Sequence, residues 1–130
     1  MAAIRVEWDA GYPQLLRIRL LSSVTWSELE AAIGSHNRAG FPDVWGVLVD
    51  LSEAESLPDI SVLRLAHLMR ITPPGACAFA VIGAGSRVRM MIPVLARLCP
   101  STERQFHVAD SEAEARTWLL AWLGLAKSAV

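Results

Sequence analysis

Val44-Trp45-Gly46-Val47-Leu48-Val49-Asp50-Leu51-Ser52 is apolar at almost every position and then turns polar. Strict alternation would mark a strand with one wet face. An unbroken apolar run marks a strand covered on both faces, the pattern of a parallel sheet between helices. Polar turn residues follow from Glu53, and Asp59 can cap a helix carrying Ile60, Leu63, Ala66 and His67. The same grammar returns at Cys77-Ala78-Phe79-Ala80-Val81-Ile82. There a Gly83-Ala84-Gly85 turn leads to a helix that Ser86 can cap, with Val88, Met91, Ile92, Leu95 and Leu98 as its apolar face. Strands that alternate with helices imply right-handed crossovers and an α/β fold.

Upstream, Ile4-Arg5-Val6-Glu7-Trp8 and Leu15-Leu16-Arg17-Ile18-Arg19-Leu20-Leu21 both alternate, with turn chemistry at Asp9 to Pro13 between them. They read as a β-hairpin with its polar residues toward water. Thr25-Trp26-Ser27-Glu28 fits a capping box that opens a helix, which exits at Gly40 and Pro42. Downstream, Gln105-Phe106-His107-Val108 is a last short strand. Ser111 and Glu114 form a second capping box, before a helix with the stripe Ala115, Trp118, Leu119, Trp122 and Leu123. Gly124 fits a helix stop, and 125–130 reads as a frayed tail. Pro93 should kink or restart its helix. The expectation is one domain over 1–124: an N-terminal hairpin, then βα repeats, giving a five-stranded, mostly parallel sheet with about four helices.

The bulk properties agree with one globular domain. The chain has 130 residues, 53% of them apolar, and a net charge of −1. That is enough length to bury a core without staples. Scattered arginines and near-zero charge argue against a nucleic-acid partner. Cys77 and Cys99 lie outside any Cys-x-x-Cys motif and read as core thiols of a cytoplasmic protein. The N-terminus does not read as a signal peptide. The longest uncharged run, Ile71 to Ser86, is broken by prolines and glycines and falls short of the ~20 residues of a membrane span. Near-neutral charge with high hydropathy favours a homodimer. Met90 and Leu120, left over on the later helices, are the first candidates for its face.

With this order of elements, residues 44–68 resemble a STAS domain, the fold of bacterial anti-sigma-factor antagonists. In that family a buried strand ends in Asp-Leu-Ser, matched here by Asp50-Leu51-Ser52. About eight residues later the family places Asp-Ser-Ser-Gly, whose serine is a phosphorylation switch. Pro58-Asp59-Ile60-Ser61 stands at that place, so the switch motif is not retained. Over nearly its full length the chain is more similar to a divergent SpoIIAA-like, or STAS/SEC14-like, branch. The features that carry this are Phe106, Asp110, the acidic Glu112-Ala113-Glu114-Ala115 and Trp118-Leu119. The resemblance implies a non-enzymatic regulatory module of bacterial signalling whose protein partner is a kinase or an anti-sigma-type regulator. SEC14-like relatives imply the alternative, a carrier of a lipid or another apolar ligand.

Candidate sites follow from both readings. Asp50, Ser52, Glu53, Asp59 and Ser61 would form the partner-binding surface, although Asp50 can equally serve as an acceptor for its own turn. Ser61 is the best phosphosite, because a phosphate in the first turn of a helix meets a favourable dipole. Gly83, Gly85, Ser86 and Arg87 resemble an anion-binding loop, with Arg89 as a second cation. A tight strand–helix turn explains the same glycines. No catalytic constellation is legible. Gly-x-Ser-x-Gly is absent, Glu53 and Glu55 sit in polar surroundings, and His36, His67 and His107 lack metal spacing, His67 reading as a core-edge residue. Neither a metal nor a cofactor is expected. The five tryptophans read mainly as core, and Met69, Met90 and Met91 could line an apolar pocket.

Overall fold

The structure is a computed structural model and describes residues 4–12, 14–35, 44–54, 64, 67, 76–98 and 104–128. Its elements in chain order are β1 (Ile4–Trp8), β2 (Leu15–Leu20), α1 (Trp26–Ser35), β3 (Val44–Asp50), β4 (Ala76–Ile82), α2 (Ser86–Leu98), β5 (Arg104–Ala109) and α3 (Glu112–Ser128). The five strands form one sheet in the order β1-β2-β3-β4-β5. β1 and β2 are antiparallel and every other pair is parallel, as the two sequence patterns require. The helix expected from Asp59 lies outside the described residues except for Arg64 and His67. Both are helical and exposed, so His67 is not a core-edge residue.

Each strand is added on the same side of the one before. Right-handed crossovers then place α1 and α2 on one face of the sheet, leaving the other to α3. The registers sort the residues by face. Leu15, Gly46, Leu48, Ala78, Ala80, Ile82 and Ala109 lie beneath α3, which meets them with Ala115 and Leu119 and packs Trp118 and Trp122 alongside. Small residues under the helix let it approach closely. A Cβ on Gly46 would stand 3.2 Å from Cδ2 of Leu119. The opposite face carries Leu16, Ile18, Trp45, Val47 and Phe79. There the Phe79 ring stacks on Phe106 at 5.2 Å and meets Trp45 edge-on at 6.4 Å. Trp45 is buried as expected, whereas Trp8, on the edge strand, is 38% exposed.

Both capping boxes form at α1 and α3. Thr25 Oγ1 accepts the Glu28 amide at 3.3 Å, and Glu28 Oε1 accepts the Thr25 amide at 3.1 Å. At α3, Ser111 Oγ accepts the Glu114 amide, but Glu114 returns to the amide of Asp110, one residue earlier than the simple motif. α2 differs from expectation. Its first intrahelical bond runs from Arg89 N–H to Gly85 C=O, so Gly85 is the cap and Ser86 the first helical residue. α2 does not restart at Pro93, which lies exposed inside it. α3 likewise runs through Gly124 to Ser128. A lone glycine costs a helix only about 1 kcal/mol, and Leu125-Ala126-Lys127 are good helix formers.

α3 is also fastened to the hairpin. Arg116 Nη1 donates to Asp9 Oδ1 at 2.7 Å, and its guanidinium lies over the Tyr12 ring. Asp9 Oδ2 accepts the amides of Gly11 and Tyr12. Arg17 on β2 pairs with Glu112 in the first turn of α3. The hairpin's polar side is therefore only partly wet: Arg17 and Arg19 are half-buried and ion-paired, because α3 and the end of β3 supply carboxylates beside them.

Candidate functional site

The carboxyl ends of β2 to β5 lie along one edge of the sheet, where open α/β folds place their working surface. Asp50 closes β3 at this edge. Its Oδ1 accepts the backbone amide of Ser52 at 2.9 Å and also the Ser52 hydroxyl. The turn closes through Ala54 N–H to Leu51 C=O at 3.1 Å, and Leu51 N–H donates to Ile82 C=O at 2.9 Å. Asp50 thus holds its own turn, as a strand-end aspartate can.

Arg19, opposite Asp50 in the parallel register, completes the group. Its Nε lies 3.7 Å from Asp50 Oδ2, and Nη2 lies 3.5 Å from Glu53 Oε1. Asp50 is nearly covered, with 12% of its side chain exposed against 57% for Glu53. The inner carboxylate therefore organises the turn, while Glu53 presents its charge to solvent and Ser52 is exposed with its hydroxyl turned to Asp50. Sequence reading did not single out Arg19. Its alternation with Leu20 and Ile18 showed its face, but only the β2–β3 register brings it to Asp50.

The turn after β4 is wedged against this group. Gly83 has φ +72°, in the left-handed region, and a Cβ there would lie 2.5 Å from the Ser52 amide nitrogen. Two constraints, conformation and close backbone approach, therefore account for that glycine. Arg89 Nε donates to Ala84 C=O at 3.2 Å, and Arg89 Nη2 pairs with Asp110 at 3.1 Å, tying the turn to the start of α3. Gly85 and Ser86 are exposed beside it, and the Arg87 side chain lies outside the described residues.

Asp50, Ser52, Glu53, Gly83, Gly85 and Ser86 are thus gathered along one edge. Asp59, Ser61 and Cys99 lie outside the described residues, as does the Cys77 side chain. His107 lies on β5, with its ring stacked on Trp118 at 4.9 Å and its Nε2 3.9 Å from Glu114 Oε2. Among the described residues no cluster of three or more metal-ligating side chains forms, and no helix is long and apolar enough to cross a membrane.

No protein-family model matches the chain, and no curated protein does. Among solved structures, it is similar to an uncharacterized protein of the DUF3478 family with a SpoIIAA-like fold from Shewanella loihica PV-4. The likeness has a TM-score of 0.60 at 19% identity and covers 90% of this chain and 92% of that one. The chain has a SpoIIAA-like, STAS-type α/β fold, as its sequence resemblance implies.

Proposed function

We propose that this domain is a non-enzymatic regulatory module that binds a protein partner through Ser52, Glu53 and the neighbouring strand ends. The observation that supports this most is the construction of that turn. Asp50 and Gly83 brace its backbone, while Ser52 and Glu53 stay exposed on top. A rigid, charged loop on a firm scaffold suits recognition, since little ordering entropy is lost on binding. Both Asp50 oxygens are engaged by the turn and by Arg19, which suits a structural carboxylate better than a general base. With Pro58-Asp59-Ile60-Ser61 in place of the usual switch motif, this reading takes recognition to run through the Asp50–Glu53 turn without the standard phosphoserine. Ser61 remains the one candidate for a displaced phosphosite.

The experiment is quantitative affinity capture from the source organism with the wild type, Glu53→Arg and Ser52→Glu as baits. A kinase or anti-sigma-type regulator held by the wild type and lost by both variants is the expected result. Identical protein sets on all three baits would refute the surface. Native mass spectrometry of the purified protein runs in parallel. A stoichiometric apolar adduct would favour the lipid-carrier alternative.

A further inference from the structure

β1 is the terminal strand of the sheet, and among the described strands it pairs with β2 alone. The Asp9 amide donates to Leu15 C=O at 2.8 Å, in continuation of the β1–β2 register. Bonded and non-bonded pairs alternate along an antiparallel ladder. Arg5 and Glu7 therefore share the bonding parity of Asp9 and face β2, while Ile4 and Val6 turn their N–H and C=O outward. Natural edges are commonly blunted by proline, lysine or a bulge, and Ile4-Arg5-Val6-Glu7-Trp8 has no proline or lysine. Arg5 and Glu7 are exposed, and neither makes an ion pair among the described residues.

We propose that β1 is a homodimer edge, pairing antiparallel with β1 of a second copy about a two-fold axis at Val6. The two five-stranded sheets then become one continuous sheet. The sequence is self-complementary about that centre. Arg5 opposes the partner's Glu7, and Glu7 opposes the partner's Arg5, on one face. On the other, Val6 meets the partner's Val6, and Ile4 meets the partner's Trp8, covering a ring that is 38% exposed in the protomer. The outward backbone groups admit only registers that oppose even-numbered residues. One neighbouring register sets Arg5 against the partner's Arg5, and the other sets Glu7 against the partner's Glu7. The charges thus select a single register. Arg5 also lies beside Arg19 in the β1–β2 pairing, and the partner's Glu7 would supply the opposing charge on its other side.

The test is sedimentation equilibrium across a concentration series, with native mass spectrometry of mixtures. The wild type should dimerise. Arg5→Glu and Glu7→Arg each put like charges in both symmetry-related pairs and should weaken the dimer about tenfold or more. The double swap Arg5→Glu/Glu7→Arg should restore it. Equimolar Arg5→Glu and Glu7→Arg should form a heterodimer with each other. Val6→Pro should give a monomer with an unchanged circular dichroism spectrum, because the lost N–H serves no bond to β2. The proposal is overturned by a wild type that stays monomeric, by a dimer indifferent to the charge swaps, or by a mixture of the two single variants that fails to associate. A dimer broken by Met90→Asp and not by Arg5→Glu would assign the interface to α2 instead. None of these outcomes bears on Ser52 or Glu53, so the partner-binding proposal stands or falls separately.

Discussion

Gly83 combines a left-handed backbone with a contact that leaves no room for a methyl group. Alanine there would carry the cost of the left-handed conformation, about 1–2 kcal/mol, plus a displacement of the Ser52 backbone. Gly83→Ala should therefore lower unfolding stability by about 2 kcal/mol or more in denaturant titration. It should also disturb the Ser52 amide resonance, whereas Gly85→Ala, with open space around its Cβ, should not. Asp9 makes a second prediction at this scale. The hydrogen bond from Arg116 holds its carboxyl below the usual range, against the opposing effect of burial. A carboxylate whose pKa is depressed by folding stabilises the native state above its unfolded pKa of about 4, and that contribution fades as pH falls through the folded value. Asp9→Asn should lower stability at neutral pH and flatten the acid limb of the stability curve. An equal loss at neutral pH and at about pH 3 would contradict this assignment.

The elements were legible where local chemistry decides them. Unbroken apolar runs marked β3 and β4, alternation marked β1 and β2, and Thr25 and Ser111 opened α1 and α3. Boundaries were less legible where one residue can play two parts. Ser86 looked like a cap, but Gly85 stands one position earlier and takes the role, since glycine is almost as acceptable there as serine. Gly124 looked like a stop, yet nothing after it breaks the helix. Its surroundings make it a site for improvement. It is exposed, and a Cβ there would meet nothing within 4 Å. Gly124→Ala should stabilise the protein by about 0.5–1 kcal/mol, seen as a higher denaturation midpoint. No change or a loss would mean that α3 does not persist beyond this point in solution. Arg19 shows the other limit of sequence reading. Its face followed from alternation, but its partner followed from a strand register that no local pattern encodes.

At the scale of the whole molecule, the edge pairing links fold to assembly. If β1 joins two copies, native protein is favoured by mass action, and the melting temperature should rise with protein concentration. Arg5→Glu should shift that dependence to about tenfold higher protein concentration or beyond without changing the melt of the dilute protein. The two proposed surfaces are also kept apart: β1 closes one end of the sheet, and the Asp50–Glu53 turn lies at the strand ends nearer its middle. A dimer would thus present two copies of the turn, and a bivalent partner would gain from both. The strictly consecutive strand order has a further consequence during synthesis. Each new strand docks on the one just made, so the sheet can grow as the chain leaves the ribosome. The trough of Leu15, Gly46, Leu48, Ala78 and Ala80 must nevertheless wait for Leu119 and Ala115, which are made after all five strands. Until α3 emerges, the nascent sheet exposes an apolar floor, and docking of this seventeen-residue helix is the step that covers it.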